Sequence, residues 1–143
     1  FVPTHLVRKA LKNAIKRGID VQIMLPAKSD IPFTPDVAEY VAHKLMKKGA
    51  KIYLFNGGFH HSKVMMIDDD FCTVGTANLD SRSLRYDYET NAFIFDKQVT
   101  KQLTDLYARD LQNCTTMMPE YWKQKKGGKK FAGWFGNLLT PFL

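Results

Sequence analysis

The sequence predicts an α/β sandwich, with a mixed sheet lying between layers of helix. Three observations carry this expectation. Helix-period and strand-like segments alternate through the first 55 residues, strand-like runs then cluster between residues 51 and 95, and 143 residues with 45% apolar content supply one ordinary core. One domain over residues 1–119 followed by a basic, amphipathic tail over 120–143 is the expected organisation.

Leu6, Val7, Ala10, Leu11, Ala14 and Ile15 fall on one helical stripe, with Thr4 as N-cap and Gly18 just past the end. Val21 to Leu25 then reads as a short buried strand stopped by Pro26, and a turn-rich loop runs on to Pro35. Thr34-Pro35 opens a second helix that turns Val37, Val41 and Leu45 inward and ends at Lys47-Lys48-Gly49. Lys51 to Phe55 is the next strand, and Asn56-Gly57-Gly58 is a turn. Lys63 to Asp68 and Phe71 to Gly75, joined by Asp69-Asp70, suggest a hairpin. Glu89 to Phe95 reads as a further strand, and Val99, Leu103, Leu106, Tyr107 and Leu111 mark another helix. The opening Phe1-Val2-Pro3-Thr4 reads as the end of a strand, which together with the missing initiator Met suggests part of a longer polypeptide.

No run approaches the roughly 18 apolar residues that a membrane-spanning helix needs. Cys72 and Cys114 form no ligand spacing with His and read as buried, inert thiols of a reduced compartment. The formal charge of +7 is uneven: residues 120–143 hold five Lys against one Glu, a net of +4. That bias fits an anionic partner, although solvated lysines are the commoner explanation of such a cluster. Phe131, Trp134, Phe135, Leu138, Leu139 and Phe142 follow at helical spacing, an apolar stripe suited either to a bilayer surface or to the domain's own core.

The chemistry concentrates between residues 60 and 91. Alternate residues of a strand share a face, so His61 and Lys63 are expected to project together, an imidazole beside a fixed positive charge. Such a pair suits a phosphate. Asn78 follows a Gly-Thr turn that lets backbone approach a ligand, and its amide can donate to a non-bridging oxygen. No cluster of hard oxygen ligands suited to Mg²⁺ accompanies them. Taken singly, each residue also has a structural reading, as a strand or turn residue.

The spacing His61-x-Lys63-x4-Asp68-x6-Gly75-Thr76-x-Asn78 resembles the signature of the phospholipase D superfamily. That resemblance implies an α-β-α sandwich and a metal-free, cofactor-free site built from two facing motifs. The second motif would come from a missing upstream half or a second copy of the chain. It further implies that His61 acts as general acid and base opposite a phosphohistidine-forming histidine, while Lys63 and Asn78 bind the phosphate. Thr76, standing where many members carry Ser, and His61 itself would join them in binding the phosphate. Asp68 completes the motif and in the family supports the fold, and Glu89 resembles the acidic residue that orients the imidazole. His60 is off the pattern.

Gly75-Thr76-Ala77-Asn78-Leu79-Asp80-Ser81-Arg82-Ser83, Tyr88-Glu89-Thr90-Asn91, Arg17 to Pro26 and the closing Asn137 to Leu143 resemble the bacterial cardiolipin synthases. The resemblance implies phosphatidyl transfer between two phosphatidylglycerol molecules, an anionic membrane surface as partner, and a place at the cytoplasmic face of a bacterial cell membrane. Two alternatives stand beside it: a hydrolytic phospholipase D or phosphodiesterase, and a non-catalytic membrane-binding module. No aromatic-basic stripe tracks the motif strand, which argues against nucleic acid.

Overall fold

The computed structural model describes residues 1–28, 34–58 and 60–139. Part of the turn-rich loop before Pro35 and the last four residues, Phe142 of the stripe among them, lie outside the described residues. The chain runs α1 (His5–Lys16), β1 (Gln22–Pro26), α2 (Thr34–Met46), β2 (Lys51–Phe55), β3 (Lys63–Ile67), β4 (Phe71–Gly75), β5 (Asn91–Ile94), α3 (Lys97–Leu111), β6 (Cys114–Thr116), α4 (Pro119–Gln124) and α5 (Gly127–Leu138). The α/β class is as expected. The strands form two three-stranded sheets, one mixed with order β1-β2-β6 and one antiparallel with order β3-β4-β5.

Local chemistry sets the element ends. Thr4 Oγ1 accepts from the Val7 amide at 3.4 Å and caps α1, and Gly18 adopts φ +84° beyond its last turn. Gly49, at φ +114°, closes α2: its amide donates to Met46 O at 2.9 Å and Ala50 N donates to Leu45 O at 3.2 Å. Proline ends β1 as the last paired residue rather than the first excluded one, since Pro26 pairs with Phe55 at the strand's end.

The core lies between α2 and the mixed sheet, where Leu25, Val41, Ala42, Leu45, Ala50, Ile52, Leu54 and Met117 are buried together. Val37, Val41 and Leu45 point inward as their spacing predicts. The α1 stripe is only half used: Leu11 and Ile15 pack against this core, whereas Leu6 is 71% exposed and Ala10 lies outward. Cys72 is buried, and both cysteines are free thiols. Met117 and β6 have no sequence signature, because a three-residue strand is too short to show alternation. They are fixed by pairing, with Phe55 opposite Cys114 and Met117 N donating to Ile52 O at 2.8 Å.

Helices α4 and α5 lie on α2. Trp122 stacks on His43 with ring centroids 4.5 Å apart, and Lys125 Nζ bridges Asp36 Oδ1 at 2.8 Å and Glu39 Oε2 at 2.7 Å. Tyr121 donates its hydroxyl to Glu39 as well, at 3.1 Å. Helix α5 approaches α2 through glycine. A methyl group at Gly133 would stand 2.5 Å from Asp36 O, and one at Gly136 would stand 2.4 Å from Val37 Cγ2. The apolar stripe of α5 therefore does not supply the contact with α2; the small residues on the opposite side do.

Two outcomes follow for stability. Gly133→Ala is expected to lower the unfolding free energy by about 1–3 kcal/mol through overpacking against backbone. Gly128→Ala, with open space around it, is expected to raise it by about 0.5–1 kcal/mol through helix propensity alone. Urea melts of both variants check the opposite signs. His43 supplies the second outcome: burial lowers its pKa below the usual 6.5, with Lys47 and Lys130 adding to the effect. The unfolded chain then takes up the proton first, so stability is full above about pH 6.5 and falls as pH drops through the lower folded value. His43→Phe keeps an aromatic ring against Trp122 and should flatten that slope in melts between pH 7.5 and 5.

Candidate active site

Sheet register builds the site. In the β3–β4 hairpin Lys63 pairs with Gly75, and Gly75 pairs onward with Asn91 of β5, so three segments of the chemical region meet at one end of the sheet. Asp68 sits at the opposite end, in the hairpin turn and at φ +50°. It stands five positions on from Lys63, roughly 16 Å at the usual rise, so Asp68 belongs to the hairpin turn and not to the cluster at the Lys63 end of the sheet.

Strand β3 begins at Lys63, so His61 lies two residues ahead of the ladder. A direct bond links the two residues: Lys63 Nζ donates to the backbone oxygen of His61 at 3.0 Å. His61 is exposed, while Lys63 is partly covered. That desolvation lowers the lysine pKa from 10.5, and the nearby carboxylates of Glu89 and Asp80 oppose the shift. The ammonium thus stands among two carboxylates and the His61 carbonyl, a polar cluster of mixed charge at the sheet end. His60 has a different environment, its ring lying 4.9 Å from that of Phe55.

The turn after β4 is braided to the segment before β5. Thr76 N donates to Thr90 O at 3.0 Å, and Thr90 N donates to Thr76 Oγ1 at 3.0 Å. The Thr76 hydroxyl in turn donates to Glu89 Oε2. Glu89 consequently lies two residues before the strand rather than at its head, because a side-chain hydroxyl replaces the next backbone rung of the ladder. Asn91 Oδ1 accepts from Ala77 N at 3.2 Å and folds over Gly75 so closely that a Cβ there would meet Oδ1 at 1.9 Å and Thr90 O at 2.3 Å. Glycine at 75 is a requirement of that approach. Asn78 follows, half-buried, and among the described residues no hydrogen bond engages its amide. Its donors are available to a ligand.

Two residues not among the predicted site residues belong to this group. Asn91 holds the turn in place, and its only sequence signal is its position closing Tyr88-Glu89-Thr90-Asn91. Asp80 influences Lys63, accepts from Ser83 N at 2.7 Å through Oδ1, and pairs in parallel with Val2, whose amide donates to Leu79 O at 3.0 Å. Sequence spacing alone does not distinguish it from an ordinary turn aspartate. Among the described residues no three His, Cys, Asp or Glu side chains converge as they would to hold a metal ion, and no helix is long and apolar enough to cross a membrane.

The family model described as cardiolipin synthase, PLD-like domain, matches residues 1–111. Over all 143 residues the chain is 36% identical to the cardiolipin synthase of Listeria monocytogenes and 35% identical to cardiolipin synthase 1 of Staphylococcus epidermidis. It spans about 30% of the length of those relatives. Among solved structures it is similar to Nuc, a phospholipase D family member from Salmonella typhimurium, with a TM-score of 0.69 at 18% identity over 80% of this chain and 75% of that one. NucT from Helicobacter pylori gives 0.59 at 21% identity, over 78% and 74% of the two chains. These two likenesses concern the fold. With the family match covering more than three quarters of its residues, the chain belongs to the cardiolipin synthase family of phospholipase D-like domains.

Proposed function

We propose that the chain supplies one of two half-sites of a phosphatidyltransferase that joins two phosphatidylglycerol molecules into cardiolipin and glycerol. The observation that carries this reading is the register of Lys63 opposite Gly75, which sets the lysine beside the turn bearing Thr76 and Asn78, with Glu89 tied to that turn. A histidine of the other half attacks phosphorus. The P–N bond forms as the P–O bond to glycerol breaks, and His61 hands its proton to the departing glycerol oxygen. The hydroxyl of the second phosphatidylglycerol then attacks, His61 takes its proton, and the P–N bond breaks.

Lys63 and Asn78 face the charge that gathers on the non-bridging oxygens, where a preorganised donor contributes about 2.7–4 kcal/mol. Glu89 orients His61, and Thr76 holds Glu89. The other half is an upstream motif or a second copy of the chain. Exposed apolar side chains on the antiparallel sheet, Val64, Met65, Ile67, Val74 and Phe93, support a large partner surface at this sheet.

In the complete enzyme His61→Ala is expected to lower turnover about 10²–10⁴-fold while lipid binding persists, and His60→Ala to do far less. Radiolabelled phosphatidylglycerol reads both the rate and the product. Equal losses at the two positions would overturn the assignment of His61, and phosphatidic acid in place of cardiolipin would make water the acceptor. A monomer of this chain alone is expected to turn over neither.

The Asn91 contact gives a separate test. Asn91→Ala leaves the Ala77 amide without its acceptor and should cost about 1–3 kcal/mol of stability together with turnover. Asn91→Asp keeps an oxygen in place and should retain more of both. Equal damage from the two variants would show that the carbonyl of the Asn91 amide does not hold the turn.

A further inference from the structure

We propose that the outward face of α5 is a docking surface for an anionic bilayer, inserted at the level of the headgroups. Phe131, Trp134, Phe135, Leu138 and Leu139 are each between 42% and 62% exposed. They recur at i, i+3, i+4, i+7 and i+8, so they form one continuous stripe. The opposite side of the same helix is committed to α2 through Gly133 and Gly136, whose approach leaves no room for a side chain. Rotating the helix to bury the stripe would thrust large side chains against Asp36 O and Val37. The apolar face is therefore presented outward by the packing itself.

Charge selects the occupant. The end of α4, the connector and the start of α5 carry Lys123, Lys125, Lys126, Lys129 and Lys130, and residues 121–143 contain no Asp or Glu. Lys125 is withdrawn into the pairing with Asp36 and Glu39, which also neutralises the acidic side chains of α2 nearest the tail. Lys126 and Lys129 are exposed. Lys130 and Lys47 both act on His43, so the basic end of α2 adjoins the start of α5 and widens the positive rim. A second copy laid face to face on this stripe would bring like charges together, whereas a negatively charged leaflet meets both the rim and the stripe. A helix of 12 residues is about 18 Å long, suited to lying in the interface and too short to cross it.

The test uses the 143-residue chain with vesicles of phosphatidylglycerol or of phosphatidylcholine. Co-sedimentation measures affinity, and fluorescence in a Trp122→Phe background reports Trp134 alone, with acyl-chain-brominated lipid as quencher. Salt-sensitive binding to phosphatidylglycerol vesicles, quenching of Trp134, and binding about tenfold or more weaker for the double variant Phe135→Ser, Leu138→Ser are expected. Both side chains of the double variant are exposed, so its melting curve should match the parent. Lys126→Glu with Lys129→Glu, which leaves the stripe intact, should weaken binding and reduce its salt dependence. Absence of binding, binding without quenching, or equal binding by the double variant overturns the proposal. A dimer of the parent that the double variant abolishes assigns the stripe to a second copy and overturns it too. His61→Ala should bind vesicles like the parent, so failure of the catalytic reading and failure of this one are read separately.

Discussion

Gly75 has no space for a side chain, and the candidate site depends on that constraint. Because the Asn91 amide lies directly over it, the end of β4 comes close enough to β5 for Ala77 N to reach Asn91 Oδ1 and for Thr76 to exchange bonds with Thr90. Those bonds place Glu89 on the Thr76 hydroxyl and leave the Asn78 amide unspent. Lys63 enters from the other side of Gly75 by strand pairing. Each feature is weak alone, since a net hydrogen bond contributes only about 0.5–1.5 kcal/mol. Their geometry is mutually determined, and preorganisation of that kind is what a phosphoryl-transfer site requires.

Helix α2 has a comparable role for the rest of the domain. One face presents Val41, Ala42 and Leu45 to the mixed sheet, while Asp36, Glu39, Tyr40 and His43 meet the tail. The acidic residues make the tail contact more than a packing of small residues. Lys125 is nearly enclosed between two carboxylates, and an ammonium in such a place is tolerated only because both are there.

How much of this was legible in the sequence depends on where the information lies. Helices with caps and a full apolar period were readable, as Val37, Val41 and Leu45 illustrate, because burial follows directly from periodicity. The α1 stripe overstated burial because α1 lies over the core with one flank only, leaving Leu6 in solvent. Motif spacing marked Lys63, Thr76 and Asn78 but not the bond from Lys63 Nζ to the His61 backbone oxygen, since a side chain reaching back to a carbonyl leaves no trace in residue spacing. Asn91 and Asp80 stand in segments that carry the resemblance but were not marked as site residues, since their roles come from partners 14 residues away and at the chain's first strand-like segment, which local pattern does not encode. In the tail, the apolar stripe was legible, but the face that would dock was not. Apolar periodicity points to the larger side chains, whereas the contact with α2 is made by glycines, which carry no such signal.

The antiparallel sheet bears on why the proposed site is a half-site. Register places Met65, Thr73 and Phe93 on one face and Val64, Val74 and Ala92 on the other. Of these, Met65 and Phe93 on the first face and Val64 and Val74 on the second are exposed, so each face carries uncovered apolar area. A three-stranded sheet ordinarily needs one well-covered face to be stable, and here α3 touches the sheet without covering these side chains. A neighbouring body laid against the sheet would bury them, and Lys63 lies on the same face as Met65, at the sheet end where Thr76, Asn78 and Glu89 gather. Covering that face thus brings a second surface toward the proposed phosphate-binding group in the same step, which ties completion of the fold to completion of the proposed two-histidine site.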